Sequence, residues 1–102
     1  MTKQLRFEAA ARDQLNDIAD WTADTFGPAQ AETYERLILD RLAKLIDGTA
    51  FSKPILAGDT RRQLQAGQHI LVFIERQDTI VVLAILHSHS DLFAHLPPTK
   101  DD

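Results

Sequence analysis

The histidines and arginines of this sequence could together supply the acid, base and cation that cleavage of a phosphodiester needs. Cleavage of RNA by transesterification requires a base for the 2′-hydroxyl, an acid for the leaving oxygen and a cation for the phosphorane. His69, His87 and His89 could serve as acid and base, and Arg62 could serve as the cation. The cation could also come from either of two further arginines, Arg61 and Arg76. The simpler interpretation, which we favour, is that His87 ends a strand and bonds to the backbone while the arginines are solvated.

The same histidines raise the question of a metal site. His87 and His89 are separated by one residue, and Asp91 follows closely. Alternate residues of a strand share a face, so the three side chains could converge on an ion. A bare His-x-His is a weak signal, and the chain contains no cysteine. We therefore predict neither a metal nor a cofactor.

Lys53, Arg61 and Arg62 form a basic cluster at a predicted loop–strand junction. These side chains either contact a macromolecular target or are solvent-exposed charges, and the sequence leaves both interpretations open. The candidate target contacts are Lys53, Arg61, Arg62, Arg76, His87 and His89. The net charge of −4 and the pI near 5.4 argue against a general nucleic-acid binder, which needs excess basic charge to neutralise phosphates. We expect no direct sequence-specific binding to nucleic acid.

Two amphipathic helices follow a short strand and must position these groups. Leu5 and Phe7 are two residues apart, which predicts a first strand over residues 3–7. Apolar residues then recur at three- and four-residue spacing, which predicts helices over 8–26 and 28–47. The first stripe comprises Ala11, Leu15, Ile18, Thr22 and Phe26, and the second Ala31, Tyr34, Ile38, Leu42 and Leu45. Gly27-Pro28 separates the helices and predicts an antiparallel hairpin.

Three strands are predicted after a loop over residues 48–60. The segment 61–66 is mostly polar, as in an exposed or edge strand, and 69–76 and 79–87 flank a tight turn at Gln77-Asp78. Both alternating faces of the last two strands are apolar, which is typical of central strands covered on both sides. The helical hairpin covers one face, and the polar segment after residue 88 offers little for the other. Some apolar surface is therefore expected to bind a partner chain.

These elements define one α+β domain over residues 1–102, with the order β-α-α-β-β-β. The helical hairpin packs on one face of a small, mainly antiparallel sheet. The N-terminal segment lacks the apolar region of a signal peptide, and the longest apolar run, 80–86, is far shorter than the roughly 20 residues of a membrane span. We expect a soluble, cytoplasmic protein without membrane association.

Four segments, taken in order, resemble the ParE/RelE toxin superfamily. The first is Ala11-Arg-Asp-Gln-Leu-Asn-Asp-Ile-Ala-Asp-Trp21, although Gln14 stands where the superfamily usually has Asp, and Trp21 replaces Tyr. The second is the interhelical segment Phe26 to Tyr34, the third runs from Arg62 to Phe73, and the fourth from Ile80 to Asp91. The resemblance covers about residues 4 to 96, and its specificity lies in the order and spacing of the segments.

The resemblance implies one of two activities. RelE-like members cut mRNA in the ribosome, whereas ParE-like members poison DNA gyrase without known catalysis of their own. Ala84 stands where the last strand often has Arg, Glu75 falls where a basic residue is common, and the only Tyr is Tyr34, in a helix. These departures favour the ParE-like branch and a gyrase inhibitor that is not an enzyme. The alternatives are an mRNA endonuclease using His69, His87 and Arg62, and an inactive remnant that binds only its antitoxin.

The resemblance also implies a cognate antitoxin that wraps the toxin in a hetero-oligomer. An antitoxin segment could lay a helix in a groove or add a strand to the sheet. Apolar side chains that are not needed for the core are the candidates for this contact. They are Trp21, Leu39, Ile70, Val72 and Val81.

Overall fold

A computed structural model describes residues 3–88 of the chain, so His89 and Asp91 lie outside the described residues. The strands are β1 (Gln4–Phe7), β2 (Lys53–Pro54), β3 (Arg62–Ala66), β4 (His69–Arg76) and β5 (Thr79–His87). The helices are α1 (Ala9–Phe26) and α2 (Pro28–Ile46). No helix within residues 3–88 is long and apolar enough to cross a bilayer.

The helical hairpin forms where the sequence predicts it. Gly27 has a φ of 102°, which a residue with a side chain rarely adopts, and its N–H donates to the carbonyl of Ala23. Pro28 occupies the first position of α2, where the missing N–H costs no hydrogen bond. Most stripe positions are buried, but Phe26 is 64% exposed and is wrongly placed in the predicted core stripe. It is the last residue of α1.

The sheet has five strands in the order β1-β5-β4-β3-β2. β1 pairs in parallel with β5, and the other neighbours are antiparallel, as in the predicted mainly antiparallel sheet. Two details differ from the prediction. The loop over 48–60 contains the short strand β2, whose two residues show no periodicity, and β3 is an edge only beyond Gln63, because β2 pairs with its first two residues.

Both faces of β4 and β5 are buried, as their apolar alternation predicts. The helix-facing core joins α1 and α2 to the sheet through residues such as Leu15, Ile38, Leu42, Phe73 and Val82. The opposite face carries two smaller apolar clusters. One comprises Ile55, Val72, Ala84 and Leu86 with Ile70 packed against them, and the other comprises Ile74, Val81 and Leu83.

A β-bulge on β5 anchors α1 to the sheet. Val72 pairs with Ala84 while Phe73 pairs with Val82, so Leu83 is an extra residue on β5. Close to this irregularity, the N–H of Ile85 donates to the side-chain carbonyl of Gln14 at 2.7 Å. The amide of Gln14 thus satisfies a backbone donor on β5.

Candidate functional site

Two of the sequence-predicted histidines meet at one end of the sheet. The antiparallel register pairs His69, at the start of β4, with His87, at the end of β5. Their ring centroids are 5.3 Å apart in an edge-to-face arrangement. Tyr34 of α2 reaches the same point, with its ring centroid 5.5 Å from that of His69 and its Oη 2.6 Å from His69 Nδ1. The pairing thus creates a cluster of three rings between α2 and the sheet.

The Tyr34 hydroxyl also fastens the turn between β3 and β4. It accepts a hydrogen bond from the N–H of Gln68 at 2.9 Å and lies 3.3 Å from the carbonyl oxygen of Ala66. Gly67, between them, has a φ of 60°, and a Cβ at this position would lie 2.8 Å from Tyr34 Oη. Glycine is therefore required here both by backbone conformation and by the close approach of the phenol.

His69 is held in its neutral form. Its partial burial lowers the pKa of the imidazole below the usual value, and the neighbouring charge of His87 lowers that pKa further. A neutral imidazole can accept the Tyr34 proton at Nδ1, or donate from Nδ1 while the phenol donates to Ala66. Both arrangements hold the ring in one orientation. His69 is thus a positioned, uncharged imidazole at neutral pH.

A groove of about 550 Å³ opens next to these rings, between the C-terminal half of α1 and the ends of β4 and β5. Trp21 and Phe26 lie at its rim, 62% and 64% exposed, with ring centroids 5.8 Å apart in an edge-to-face contact. The remaining lining residues are Asp17, Ile18, Thr22, Gln30, Tyr34, Gln68, His69 and His87. A concave, largely apolar surface with a few convergent polar groups is the usual form of a binding site.

The predicted cation is not part of this cluster. Arg62 pairs with Phe73 across β3 and β4, four residues along β3 from Ala66, which pairs with His69. Four residues of strand place Arg62 about 13 Å from the histidine end. Its guanidinium donates to the hydroxyl and the carbonyl of Ser52, at 2.8 and 3.0 Å. Arg62 thus ties the preceding loop to the sheet, away from the two histidines.

Arg61 is engaged by a neighbouring carboxylate. Its guanidinium donates to both oxygens of Asp59, at 3.0 and 2.8 Å, and its backbone N–H donates to the same side chain at 2.8 Å. These hydrogen bonds raise the pKa of Arg61 and lower that of Asp59. The positive charge that the sequence assigns to this junction is therefore largely balanced.

The remaining predicted target contacts lie in separate places. Lys53 is exposed on β2, while Arg76 lies at the end of β4 remote from His69, in a second concavity that also includes Arg6. His89 falls outside residues 3–88, and so does part of the predicted His87-His89-Asp91 metal set. Among the residues that the structure describes, no three histidines or carboxylates are grouped as metal ligands. The predicted contacts within residues 3–88 therefore do not form one surface.

The predicted partner contacts fall into two groups. Trp21 and Leu39 are exposed, by 62% and 42%. Val72 and Val81 are 0% and 7% exposed, and Ile70 is half-buried beside Val72. The two valines therefore offer almost no surface to a partner while the chain holds this conformation. All five partner contacts stay predictions.

Sequence reasoning missed part of the groove. Phe26 and Tyr34 belong to the predicted core stripes but line the groove, and Asp17 is not among the predicted site residues. A usable signal was the Trp21–Phe26 spacing: because five residues of helix turn through about 140°, both rings cannot lie on one core-facing stripe. The contact of Tyr34 with the turn at Gln68 had no local signal, since it joins α2 to a segment 34 residues away.

Comparison with known proteins places this chain in a family. Residues 5–92 match the model of the ParE toxin of the type II toxin–antitoxin system parDE. No curated protein sequence matches the chain. The fold resembles a structure of the chromosomal ParDE system from P. aeruginosa, with a TM-score of 0.70 and 18% identity over 84% of this chain and 96% of that chain. It also resembles the RelBE2 toxin–antitoxin complex from Mycobacterium tuberculosis, with a TM-score of 0.51 and 17% identity over 85% and 99% of the two chains. The match over residues 5–92 shows that this chain belongs to the ParE toxin family of type II toxin–antitoxin systems.

Proposed function

We propose that this toxin inhibits growth by poisoning DNA gyrase through binding alone, and that a cognate antitoxin neutralises it. The observation that carries the proposal is the separation of the groups that RNA cleavage would need. His69 and His87 lie together, but within residues 3–88 their groove is lined by no arginine or lysine. A phosphorane would therefore develop without a cation from these residues to stabilise it.

The sheet face opposite the helices adds support. Ala84, where related strands often carry arginine, lies in an apolar cluster with Ile55, Val72 and Leu86. These side chains can neither transfer a proton nor stabilise an anion. This cluster thus offers no acid, base or cation for catalysis.

An mRNA endonuclease is the second candidate, and one observation favours it. The rings of His69 and His87 are 5.3 Å apart, a spacing at which one imidazole can act as acid and the other as base on the same phosphate. The lowered pKa of His69 suits a base. A ribosome would then have to supply the missing cation.

The antitoxin partner is supported by the comparison structures, which come from ParDE and RelBE toxin–antitoxin systems. The exposed apolar side chains Trp21, Phe26 and Leu39 are consistent with a surface that a partner covers. We expect a hetero-oligomer in which the antitoxin removes this surface from solvent.

Induced expression without antitoxin tests the choice between the two targets. Bacterial cells expressing the chain are assayed for the DNA damage response and for the rate of bulk translation. Gyrase poisoning predicts a damage response while translation continues at first. Translation arrest without DNA damage would overturn the proposal in favour of mRNA cleavage, and unaffected growth would indicate an inactive remnant. The His69→Gln/His87→Gln variant is the control, since it should stay toxic only if the histidines are not catalytic.

A further inference from the structure

The groove beside α1 is electrostatically suited to a cation. Within residues 3–88, its lining includes one carboxylate, Asp17, two side-chain amides, Gln30 and Gln68, and no lysine or arginine. Further along the exposed side of α1 lie Asp13, Asp20 and Asp24. The whole chain carries a net charge of −4. These charges attract a basic group to the groove more strongly than an acidic one.

Aromatic rings strengthen this preference. The only tryptophan and the only tyrosine of the chain both line the groove, together with Phe26 and the two histidines. The face of an aromatic ring carries partial negative charge and attracts ammonium and guanidinium groups, most strongly for tryptophan. Trp21 and Phe26 are already in edge-to-face contact, so little ordering of the rim is needed on binding.

We propose that this groove binds an arginine or lysine side chain that the antitoxin presents next to an apolar residue. The charged end would pair with Asp17 and lie against Trp21, and the apolar neighbour would cover Ile18 and Phe26. Both long basic side chains carry an apolar stem, which suits a groove with carboxylate and apolar walls. The identity of the partner rests on the proposed function, whereas the chemistry of the site does not.

The protonation state of the groove gives the proposal a second signature. Among residues 3–88, the titratable groups that line it are Asp17 from α1, Tyr34 from α2, and His69 and His87 from the sheet. At neutral pH the imidazole of His69 adds no positive charge, because burial and His87 lower its pKa. Imidazoles take up protons as the pH falls towards 5. Protonation there would place positive charge beside a bound cation and weaken its binding.

The unique tryptophan allows a direct test. The full chain is prepared with 5-fluorotryptophan at Trp21, and its ¹⁹F signal is followed during titration with a capped pentapeptide, Ala-Leu-Arg-Leu-Ala. The comparison peptide replaces arginine by citrulline, which keeps the shape and removes the charge. We expect a saturable shift with the arginine peptide and about tenfold weaker binding of the citrulline peptide, as the sum of a cation–π contact and an ion pair. Lowering the pH from 7.5 to 5.5 should weaken only the arginine peptide.

Two variants of equal charge locate the site. Asp17→Asn should abolish the preference for arginine over citrulline. Asp13→Asn removes the same charge from the same helix outside the groove lining and should leave the preference nearly unchanged. Equal binding of the two peptides, or equal effects of the two variants, would overturn the cation site.

The partner is tested with the antitoxin complex. Fluorine-labelled toxin is mixed with unlabelled antitoxin, and the accessibility of Trp21 is measured by solvent-induced shift in D₂O. We expect Trp21 to be protected in the complex and Asp17→Asn to raise the dissociation constant more than Asp13→Asn. Full exposure of Trp21 in the complex would contradict the antitoxin as occupant. The peptide titrations and the antitoxin measurements do not involve gyrase. A negative result in them is therefore distinguishable from a failure of the proposed gyrase target.

Discussion

The Tyr34 hydroxyl provides a sharp test of how the histidine end of the sheet is held together. In Tyr34→Phe the ring packs as before, but the N–H of Gln68 loses its acceptor at 2.9 Å and His69 Nδ1 loses its partner at 2.6 Å. We therefore expect the variant to fold with the same architecture and lower stability.

The size of the loss follows from the environment of the two groups. A buried polar group left without a partner costs about 1–3 kcal/mol. Gln68 is exposed and His69 only half-buried, so water can replace part of the lost bonding. We expect a loss of about 1–2 kcal/mol, which for a chain of this length corresponds to a melting temperature lower by roughly 5–10 °C.

Urea unfolding followed by circular dichroism measures this difference. Thr33→Val is the matched control, because the Thr33 hydroxyl donates only to the carbonyl of Ala29 within α2 and is exposed. We expect the control to change stability by less than about 0.5 kcal/mol. A loss in Tyr34→Phe no larger than that in Thr33→Val would refute the role of the phenol. Unchanged NMR signals of the His69 ring in Tyr34→Phe would also refute the role of the phenol.

Three further predictions concern the same framework. Gly67→Ala should destabilise the fold by about 2 kcal/mol or more in urea unfolding, because it combines a φ of 60° with a Cβ 2.8 Å from Tyr34 Oη; wild-type stability would contradict the close approach. The lowered pKa of His69 means that the unfolded chain binds more protons below pH 6.5, so stability should fall as the pH drops from about 6.5 through the folded-state pKa. His69→Gln should reduce that slope, and an identical pH profile would count against the assignment. Gln14→Ala should lower the free energy of unfolding by about 1–2 kcal/mol, because the N–H of Ile85 loses its acceptor. Asn16→Ala, on the exposed side of α1, serves as the control.

Local patterns predicted the elements well because their causes are local. The helical hairpin follows from 3.6-residue periodicity interrupted by Gly27-Pro28, and the β4–β5 hairpin follows from two apolar runs around a two-residue turn. The short strand β2 escaped prediction because two residues, one of them proline, carry no period. β2 forms only by pairing with β3. The alternation of residues in β3 predicts a strand but does not indicate which strand lies beside it.

The site was only partly predictable because it depends on which strand ends meet. Antiparallel pairing of β4 with β5 brings His69 to His87, and antiparallel pairing of β3 with β4 places Arg62 opposite Phe73, away from the two histidines. The sequence pattern places histidines and arginines in the predicted strands, but it does not determine how the strands are aligned with one another. Gln14 shows a similar limit. Its side chain accepts a hydrogen bond from the N–H of Ile85, which lies 71 residues away in the chain, and no local pattern indicates that contact.

A cleavage assay with purified components tests the central claim most directly. DNA gyrase, supercoiled plasmid and the toxin are incubated with ATP, and linear DNA released after denaturation is quantified with and without antitoxin. The proposed function predicts toxin-dependent linear DNA that persists in His69→Gln/His87→Gln and disappears when antitoxin is added. Intact plasmid at toxin concentrations that arrest growth, together with cleavage of mRNA on ribosomes, would contradict it.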